Sequence, residues 1–368
     1  MSERAYRCGE KNAPGSSEAA GEGCVTAGSG AGSHRSTFDQ FLLEFPLFAG
    51  LDAPALSELQ GLVRPFHVDA GGVLFRQGDA SDGLYLIKEG EIAILRRVPG
   101  DETVKLAVLG RCAMVGEMGL LDRGARSASA VAVTASTGYF VSYERFEMMR
   151  ADLRPPAFAV MDRFITQVAK RTRNAMEQIA AHVLSGGGSS QPAPIDAAWP
   201  PCSSAQTLDE QVLLALPLFG SFRPAQLREF IAPLERHDFA RGDLVYRTGS
   251  AASNCLIIVR GALAMYFSMP PGADLFSVHG PGRMVGELPL LDGGPHPLMC
   301  VAREPTIALR IDRERFELLR KGGGELAFTF FTALSSTIVG TLRRANSELA
   351  RIVPQHQRGD ILLAPLRA

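Results

Sequence analysis

The sequence has none of the features that mark membrane, secreted or zinc-binding proteins. No apolar run in its 368 residues approaches the roughly 18 that a membrane-spanning helix needs, and Met1 to Asn12 are too polar for a signal-peptide core. Its 6 cysteines lie far apart and form no Cys-x-x-Cys pair, so neither a zinc module nor a disulfide framework is expected. Isolated cysteines are typical of reduced thiols, and we therefore expect a cytoplasmic protein that binds no membrane.

An excess of one charge and paired metal ligands are lacking as well. Lysine and arginine number 38 against 39 aspartates and glutamates, which gives a net charge of −1. This balance argues against a nucleic-acid partner. None of the 7 histidines forms a His-x-His pair, the arrangement expected of a metal-dependent active site built on strands. We therefore predict no metal site and no catalytic residue, and we do not expect an enzyme.

Two segments poor in large apolar residues divide the chain. Residues 1–36 are rich in glycine, serine and alanine and are predicted to be a disordered tail. Residues 185–206 begin with glycine and serine and continue with prolines, which is typical of a linker. We therefore expect one domain at 37–184, a second at 207–353 and a short tail at 354–368.

The two predicted domains are copies of one unit. The stretch from Phe45 to Leu51 returns 171 residues later (216 − 45) as the stretch from Leu216 to Phe222. The stretch from Val115 to Asp122 returns 170 residues later (285 − 115) as that from Val285 to Asp292. A one-residue deletion accounts for the difference between the two shifts, so the chain contains a tandem repeat.

Each copy combines short strands with a long final helix. Apolar runs such as 84–87 and 91–95 are separated by Gly/Asp turns, which predicts an antiparallel sandwich or a small barrel. The final helices carry apolar stripes at helical spacing around 161–179 and 331–352. Because an apolar stripe needs a partner to cover it, the stripes suggest a homodimer.

One stretch of the first copy combines small, acidic and basic residues in a specific pattern. Residues 115–121 read Val-Gly-Glu-Met-Gly-Leu-Leu, and Arg126-Ser127-Ala128 follow. This pattern resembles the phosphate-binding cassette of the cyclic-nucleotide-binding domain, the sensor of the catabolite activator protein and of the regulatory subunit of cyclic-AMP-dependent protein kinase. The resemblance implies a mainly β fold with flanking helices, here two tandem β-barrel (jelly-roll) domains.

The resemblance also implies a ligand and its contacts. The ligand is cAMP or cGMP, and no other cofactor is implied. Gly116 lets the backbone approach the phosphate, Arg126 pairs with the phosphate, and Glu117 accepts the ribose hydroxyl. The following helix is expected to cover the base through either Arg171 or Thr172. The predicted site consists of Gly116, Glu117, Met118, Gly119, Arg126, Ser127 and Ala128.

The second copy departs from this pattern at the residues that would hold an anion. Gly286 and Glu287 are kept, but His296 stands at the position of Arg126. Two prolines, Pro289 and Pro297, replace residues that have a backbone N–H. We therefore expect the second domain to be structural and to have lost ordinary nucleotide binding, with a different ligand as the alternative.

Two short basic runs lie outside the cassette. Arg96-Arg97 ends a strand, and Lys170-Arg171-Thr172-Arg173 interrupts the apolar stripe of the first long helix. Charged runs of this kind are interpreted as solvated surface.

The function we expect is a cyclic-nucleotide receptor that acts in trans on an unidentified effector protein. A helix-turn-helix output module needs about 60–80 residues, more than the linker or the final tail provides. Three alternatives stay open: a kinase inhibitor like the regulatory subunits, a Crp/Fnr-related transcription regulator, and a scaffold that binds no nucleotide. Analogy favours cAMP, but the sequence does not decide between cAMP and cGMP.

Overall fold

The computed structural model describes residues 41, 45, 57, 59–61, 63–98, 103–151, 155–185, 199–205, 208–267 and 275–352. Both predicted tails and most of the predicted linker lie outside these residues. The described part of the chain is mainly β with flanking helices, as the sequence predicts.

Domain 1 places a short helix between its sixth and seventh strands and two helices after the eighth. Its strands are β1 (Val63–Val68), β2 (Val73–Phe75), β3 (Gly83–Glu89), β4 (Ile92–Arg97), β5 (Thr103–Leu109), β6 (Met114–Val115), β7 (Ser129–Ala132) and β8 (Ser136–Ser142). The helices whose bounds are described are α1 (Glu117–Asp122), α2 (Tyr143–Ala151) and α3 (Pro155–Ser185).

The strands of domain 1 form two four-stranded antiparallel sheets, in the orders β1-β8-β3-β6 and β2-β7-β4-β5. This is the strand order of a jelly roll, with two facing sheets in place of one closed barrel. Apolar side chains from both sheets, including the fully buried Ile87 and Ile92, form the core between them. The ring of Tyr85 fills the centre, with centroids 5.1 Å from Phe66 and 5.0 Å from Phe140.

Domain 2 repeats this arrangement and adds one strand. Its strands are β9 (Cys202–Ser204), β10 (Glu235–Phe239), β11 (Leu244–Tyr246), β12 (Asn254–Arg260), β13 (Leu263–Tyr266), β14 (Leu275–His279), β15 (Met284–Val285), β16 (Met299–Ala302) and β17 (Thr306–Asp312). Its helices are α4 (Glu210–Leu214), a 3₁₀ turn (Pro217–Phe219), α5 (Pro224–Ile231), α6 (Leu288–Asp292), α7 (Arg313–Gly322) and α8 (Glu325–Ile352). The sheets have the orders β15-β12-β17-β10-β9 and β11-β16-β13-β14.

The extra strand comes from the segment that the sequence predicts to be linker. β9 pairs antiparallel with β10, with Cys202 opposite His237. Just before it, Trp199 donates a hydrogen bond from its indole nitrogen to the Val245 carbonyl at 3.0 Å and packs against Phe239 at 5.4 Å. Residues 199–205 therefore belong to the packed structure of domain 2, because an indole gives this polar segment an apolar anchor that composition alone does not reveal.

The two long helices α3 and α8 pack against each other and join the domains. Phe331, fully buried on α8, lies with its ring centroid 5.4 Å from that of Phe158 on α3. At the edge of this contact Arg320 of α7 binds Asp162 of α3 through two hydrogen bonds of 2.6 and 3.1 Å. The apolar residues up to Ala169 of α3 and up to Leu342 of α8 belong to one hydrophobic core that spans the two domains. Those further along both helices, such as Met176 and Ala345, belong to a second cluster.

This packing changes what the apolar stripes mean. The stripes predicted on the two final helices cover each other within one chain, so they no longer argue for a homodimer, which stays an untested prediction. Among the described residues, one helix, α8, is long and apolar enough to cross a membrane by length and composition. However, 61% of its most apolar 18-residue window is buried inside the protein. It is therefore placed as a core helix of the two-domain unit.

Candidate functional site

The predicted cassette forms a sharp turn between β6 and α1. We use "cassette" for residues 115–122 in domain 1 and 285–292 in domain 2. Gly116 has a φ of +89°, in the left-handed region that side chains rarely adopt. A β-carbon at this position would also collide with the guanidinium of Arg126. Glycine is therefore required here both by backbone conformation and by the close approach of the arginine.

The side chain of Arg126 points into the protein, directly behind this turn. It is only 1% exposed. One terminal nitrogen donates to the Gly116 carbonyl at 3.0 Å, the other donates to Asp82 Oδ1 at 2.7 Å, and the guanidinium carbon lies 4.1 Å from the ring centroid of Phe75. Within the described residues its Nε is buried without a hydrogen-bond partner. A desolvated cation with an unsatisfied donor is well suited to hold an anion.

Glu117 lies in the same pocket and is held by the first long helix. Its carboxylate, whose side chain is 5% exposed, accepts a 2.7 Å hydrogen bond from Arg171 of α3. Arg171 also donates to the Met114 carbonyl at 2.5 Å. Thr172, the other residue considered for the lid, is fully buried and donates to the Val168 carbonyl of its own helix, so it does not line the pocket.

These residues surround an open pocket of about 520 Å³, a volume that includes some open solvent. All seven residues predicted from the cassette line it, together with Arg171: Gly116, Glu117, Met118, Gly119, Arg126, Ser127 and Ala128. Ser127 directs its hydroxyl to the sulfur of Met118 at 3.4 Å, and its carbonyl accepts from Arg96 at 3.2 Å. Arg96 thus holds the pocket wall, which corrects the interpretation of this arginine as solvated surface.

Sequence reasoning missed three charged or polar residues of this site. Asp82 precedes β3 and pairs with Arg126 across 44 residues of chain. Arg343 and Asn346 belong to α8 of domain 2 and line the pocket of domain 1. Arg343 donates to Asp122 Oδ2 at 2.9 Å and Oδ1 at 3.1 Å, and to the Ala125 carbonyl at 2.8 Å.

The equivalent place in domain 2 has lost its cations. The ring of His296 stacks on that of Tyr246 at 4.1 Å, and burial, aided by the charge of Arg173, lowers the pKa of His296 to about 4. It is therefore neutral near pH 7. Thr341 stands where domain 1 has Arg171 (341 − 171 = 170), so Glu287 has no arginine partner in the described pocket. The surrounding residues enclose about 400 Å³ and are mostly apolar.

Burial without a cation raises the pKa of Glu287 to about 7 from its ordinary value of 4.5. Because the folded state holds this proton more tightly than the unfolded state, the resulting stability is present below about pH 4.5 and is lost as pH rises through about 7. The variant Glu287→Gln cannot ionise. Its free energy of unfolding should therefore match that of the wild type near pH 4.5 and exceed it by up to about 3 kcal/mol at about pH 8.

Chemical denaturation at several pH values measures this difference. His279 and His296, whose pKa values are lowered to about 4 by burial, titrate in both proteins and cancel in the comparison. Glu314→Gln, at an exposed position of α7, serves as the control and should leave the free energy of unfolding nearly unchanged. An equal stability of wild type and Glu287→Gln at about pH 8 would show that the carboxylate is not desolvated.

Comparisons with known proteins agree with this geometry. A family model described as "Cyclic nucleotide-binding domain" matches residues 65–152 and 236–321. The chain is 45% identical over 93 residues to the cyclic AMP receptor protein of Thermus thermophilus, covering 24% of this chain and 41% of that one. It is 27% identical over 141 residues to a CRP-like cAMP-activated global transcriptional regulator of Mycobacterium tuberculosis, covering 38% and 62%. The chain thus spans less than two thirds of the length of these relatives.

A further relative and one solved structure have names associated with protein kinase A. A type II regulatory subunit of cAMP-dependent protein kinase from Drosophila melanogaster is 30% identical over 98 residues, covering 27% of this chain and 26% of that one. A solved structure of the regulatory domain of Toxoplasma gondii PKA with cAMP covers 80% of this chain and 95% of that one, at 17% identity and a TM-score of 0.31. The cassette geometry and the two family matches lead to one conclusion: the chain carries two domains of the cyclic nucleotide-binding family in tandem.

Proposed function

We propose that this chain is a cytoplasmic cAMP receptor that regulates a partner protein in trans and has no catalytic activity of its own. Domain 1 binds the nucleotide, and domain 2 serves as a structural domain. The proposal rests on one observation above all: Arg126 and Glu117, a buried cation and a buried carboxylate, face the same pocket behind one glycine turn.

A cyclic nucleotide supplies a group for each element of this pocket. The phosphodiester carries one negative charge, which Arg126 binds with its buried guanidinium. The free ribose hydroxyl donates to Glu117, whose carboxylate is held in place by Arg171. The apolar side chains of the lining, among them Ile94 and Leu109, cover the remaining faces of the sugar and the base.

The phosphate competes with an internal anion for Arg126. In the structure Asp82 accepts a 2.7 Å hydrogen bond from Arg126, and the side chain of Asp82 is 69% exposed. The phosphate takes the place of this carboxylate, which then turns to solvent at little cost because it is already mostly hydrated. The guanidinium of Arg126 is therefore held in position by a weak ion pair with Asp82 until the phosphate replaces this carboxylate.

The signal leaves the pocket through the first long helix. Arg171 of α3 is hydrogen-bonded to Glu117, so a change in the position of Glu117 would shift α3, the helix that packs along α8. An effector that binds one arrangement of these helices better than another would respond to the nucleotide. A protein kinase subunit is the second candidate partner, because one relative is named as a regulatory subunit of such a kinase.

Ligand-dependent stabilisation of the full chain tests the proposal. A ligand at a hundredfold excess over its Kd stabilises the folded state by about 2.7 kcal/mol, which raises the melting temperature. We expect this rise with cAMP or cGMP and none with adenosine, which has no phosphate for Arg126. If neither cyclic nucleotide raises the melting temperature at millimolar concentration, the chain is a scaffold and not a receptor.

A further inference from the structure

Domain 2 keeps a pocket at the place where domain 1 has its nucleotide pocket. The surrounding residues enclose about 400 Å³, a volume that includes some open solvent and lies within the range of small-molecule sites. Large apolar side chains form most of its lining: Met176, Met265, Phe276, Met284, Val285, Leu288 and Leu298. A structural role for domain 2 does not require a pocket of this size, so its chemistry is worth following.

The position of the cation of domain 1 is filled here by two stacked rings. The ring of His296 lies 4.1 Å from that of Tyr246, whose hydroxyl donates to Asn254 Oδ1 at 2.8 Å. A β-carbon at Gly286 would collide with the Tyr246 ring, so this ring occupies the space behind the glycine turn. The described lining contains neither lysine nor arginine. The pocket therefore offers a phosphate no cation.

One acidic side chain faces this apolar space without a partner from another residue. Glu287 lines the pocket and is only 5% exposed. Within the described residues its carboxyl accepts a hydrogen bond from its own backbone N–H and from no other residue. A buried polar group that lacks partners costs free energy. A ligand that supplies a hydrogen bond to Glu287 recovers part of this cost.

The charges around Glu287 disfavour charged ligands of either sign. An anion would be buried beside a carboxyl group and without a cation. Burial, aided by the charges of Arg344 and Arg283, lowers the pKa of His279 to about 4, so this lining residue is neutral near pH 7, as His296 is. Both arginines lie outside the lining, and their positive charge opposes the entry of a cation. An uncharged ligand meets neither obstacle.

The methionines of the lining favour an aromatic ligand. Met176, Met265 and Met284 bring three flexible thioethers to one small pocket. Such side chains adapt to the shape of a ligand, and their sulfur makes favourable contacts with aromatic rings. Of the three, Met284 has a methionine, Met114, at the equivalent position of domain 1 (284 − 114 = 170). The other two belong to the second copy of the pocket alone.

We propose that the pocket of domain 2 is a second ligand site, which binds a small uncharged aromatic molecule with one hydrogen-bonding group directed at Glu287. This site goes beyond the receptor function proposed above and adds a ligand to the structural role of domain 2. A nucleoside does not fit this description, because its ribose hydroxyls would be buried against apolar side chains with too few partners.

Calorimetry of the full chain with three probes that share one ring system tests the selection by charge. The probes are 2-naphthol, which is uncharged, 2-naphthoate, an anion, and 2-naphthylmethylamine, a cation. At about pH 6, where Glu287 is protonated, 2-naphthol should bind at one site per chain with a Kd of about 0.01–1 mM. The two charged probes should bind at least about tenfold more weakly, since each would bury a charge without a partner.

Three variants place the site in domain 2. Thr341→Phe introduces a ring into the pocket from a partly exposed position of α8 and should weaken 2-naphthol at least about tenfold. Glu287→Met removes the hydrogen-bonding group and should weaken 2-naphthol about 2- to 13-fold. The matched control Leu318→Phe introduces the same ring at an exposed position of α7 and should leave the affinity unchanged. Melting temperatures verify that all variants are folded.

Contrary results overturn the inference and leave the receptor function of domain 1 intact. If 2-naphthol does not bind, or keeps its wild-type affinity in Thr341→Phe, the pocket of domain 2 is not the site. If 2-naphthoate or 2-naphthylmethylamine binds most tightly, the site does not select an uncharged ligand. An unchanged affinity in Glu287→Met removes the hydrogen bond to this residue. Binding of cAMP is titrated separately, so its failure would refute the receptor function and not this second site.

Discussion

Replacement of Arg126 by alanine is expected to weaken cyclic-nucleotide binding by about 2–5 kcal/mol, a loss of roughly 30- to 4,000-fold in affinity. The reason is desolvation. The guanidinium is 1% exposed and sits against the Gly116 carbonyl and the ring of Phe75, so its charge acts on a bound phosphate with little screening by water. Calorimetry of the full chain measures the loss directly.

Two further variants make this result interpretable. Arg97→Ala removes an exposed arginine at the end of β4, outside the pocket, and should leave the affinity unchanged. Asp82→Asn removes the carboxylate that competes with the phosphate for Arg126, and should strengthen binding. An affinity of Arg126→Ala equal to that of the wild type would mean that the phosphate lies elsewhere.

The second large effect concerns stability. Phe331→Ala should lower the free energy of unfolding by about 3–5 kcal/mol, as expected for a fully buried aromatic residue whose neighbours can collapse only partly into the space. Its ring lies 5.2 to 5.4 Å from those of Phe158, Phe316 and Phe330, which come from α3, α7 and α8. The residue is thus the point at which both long helices meet.

Urea denaturation of the full chain measures this change. Leu318→Ala on α7 is the matched control, because that side chain is 56% exposed and should change stability by no more than about 0.5 kcal/mol. A loss below about 1 kcal/mol for Phe331→Ala would show that the contact between α3 and α8 is loose in solution. In that case α8 would not be held as a wall of the pocket of domain 1.

The sequence predicts the parts of the site that are close in the chain. The glycine turn, Glu117 and Arg126 lie within about ten residues, and their resemblance to a known phosphate-binding cassette, together with the internal repeat, predicts both the jelly rolls and the pocket. Asp82 could not be predicted, because its meeting with Arg126 depends on how β3 packs beside the cassette. The same holds for Arg343, which reaches Asp122 across 221 residues of sequence.

One signal of the ion pairs between the two domains was nevertheless present in the repeat. Arg173 and Arg343, like Asp122 and Asp292, occupy equal positions in the two copies. On a helix in isolation, arginines 171 and 173 interrupt the apolar stripe and resemble solvated surface. In the fold each has a carboxylate partner, Glu117 for Arg171 and Asp292 for Arg173. Repeated charges that interrupt an apolar face therefore predict ion pairs between copies better than they predict surface.

The number of nucleotides bound per chain tests the central claim most directly. Calorimetric titration of the full chain with cAMP should give one site per chain, whose affinity falls by roughly 30- to 4,000-fold in Arg126→Ala and is unchanged in His296→Ala. This result is expected because domain 1 keeps its buried cation, whereas domain 2 has a neutral histidine in that position. A titration with no saturable binding, or one whose single site keeps its wild-type affinity in Arg126→Ala, would contradict the account.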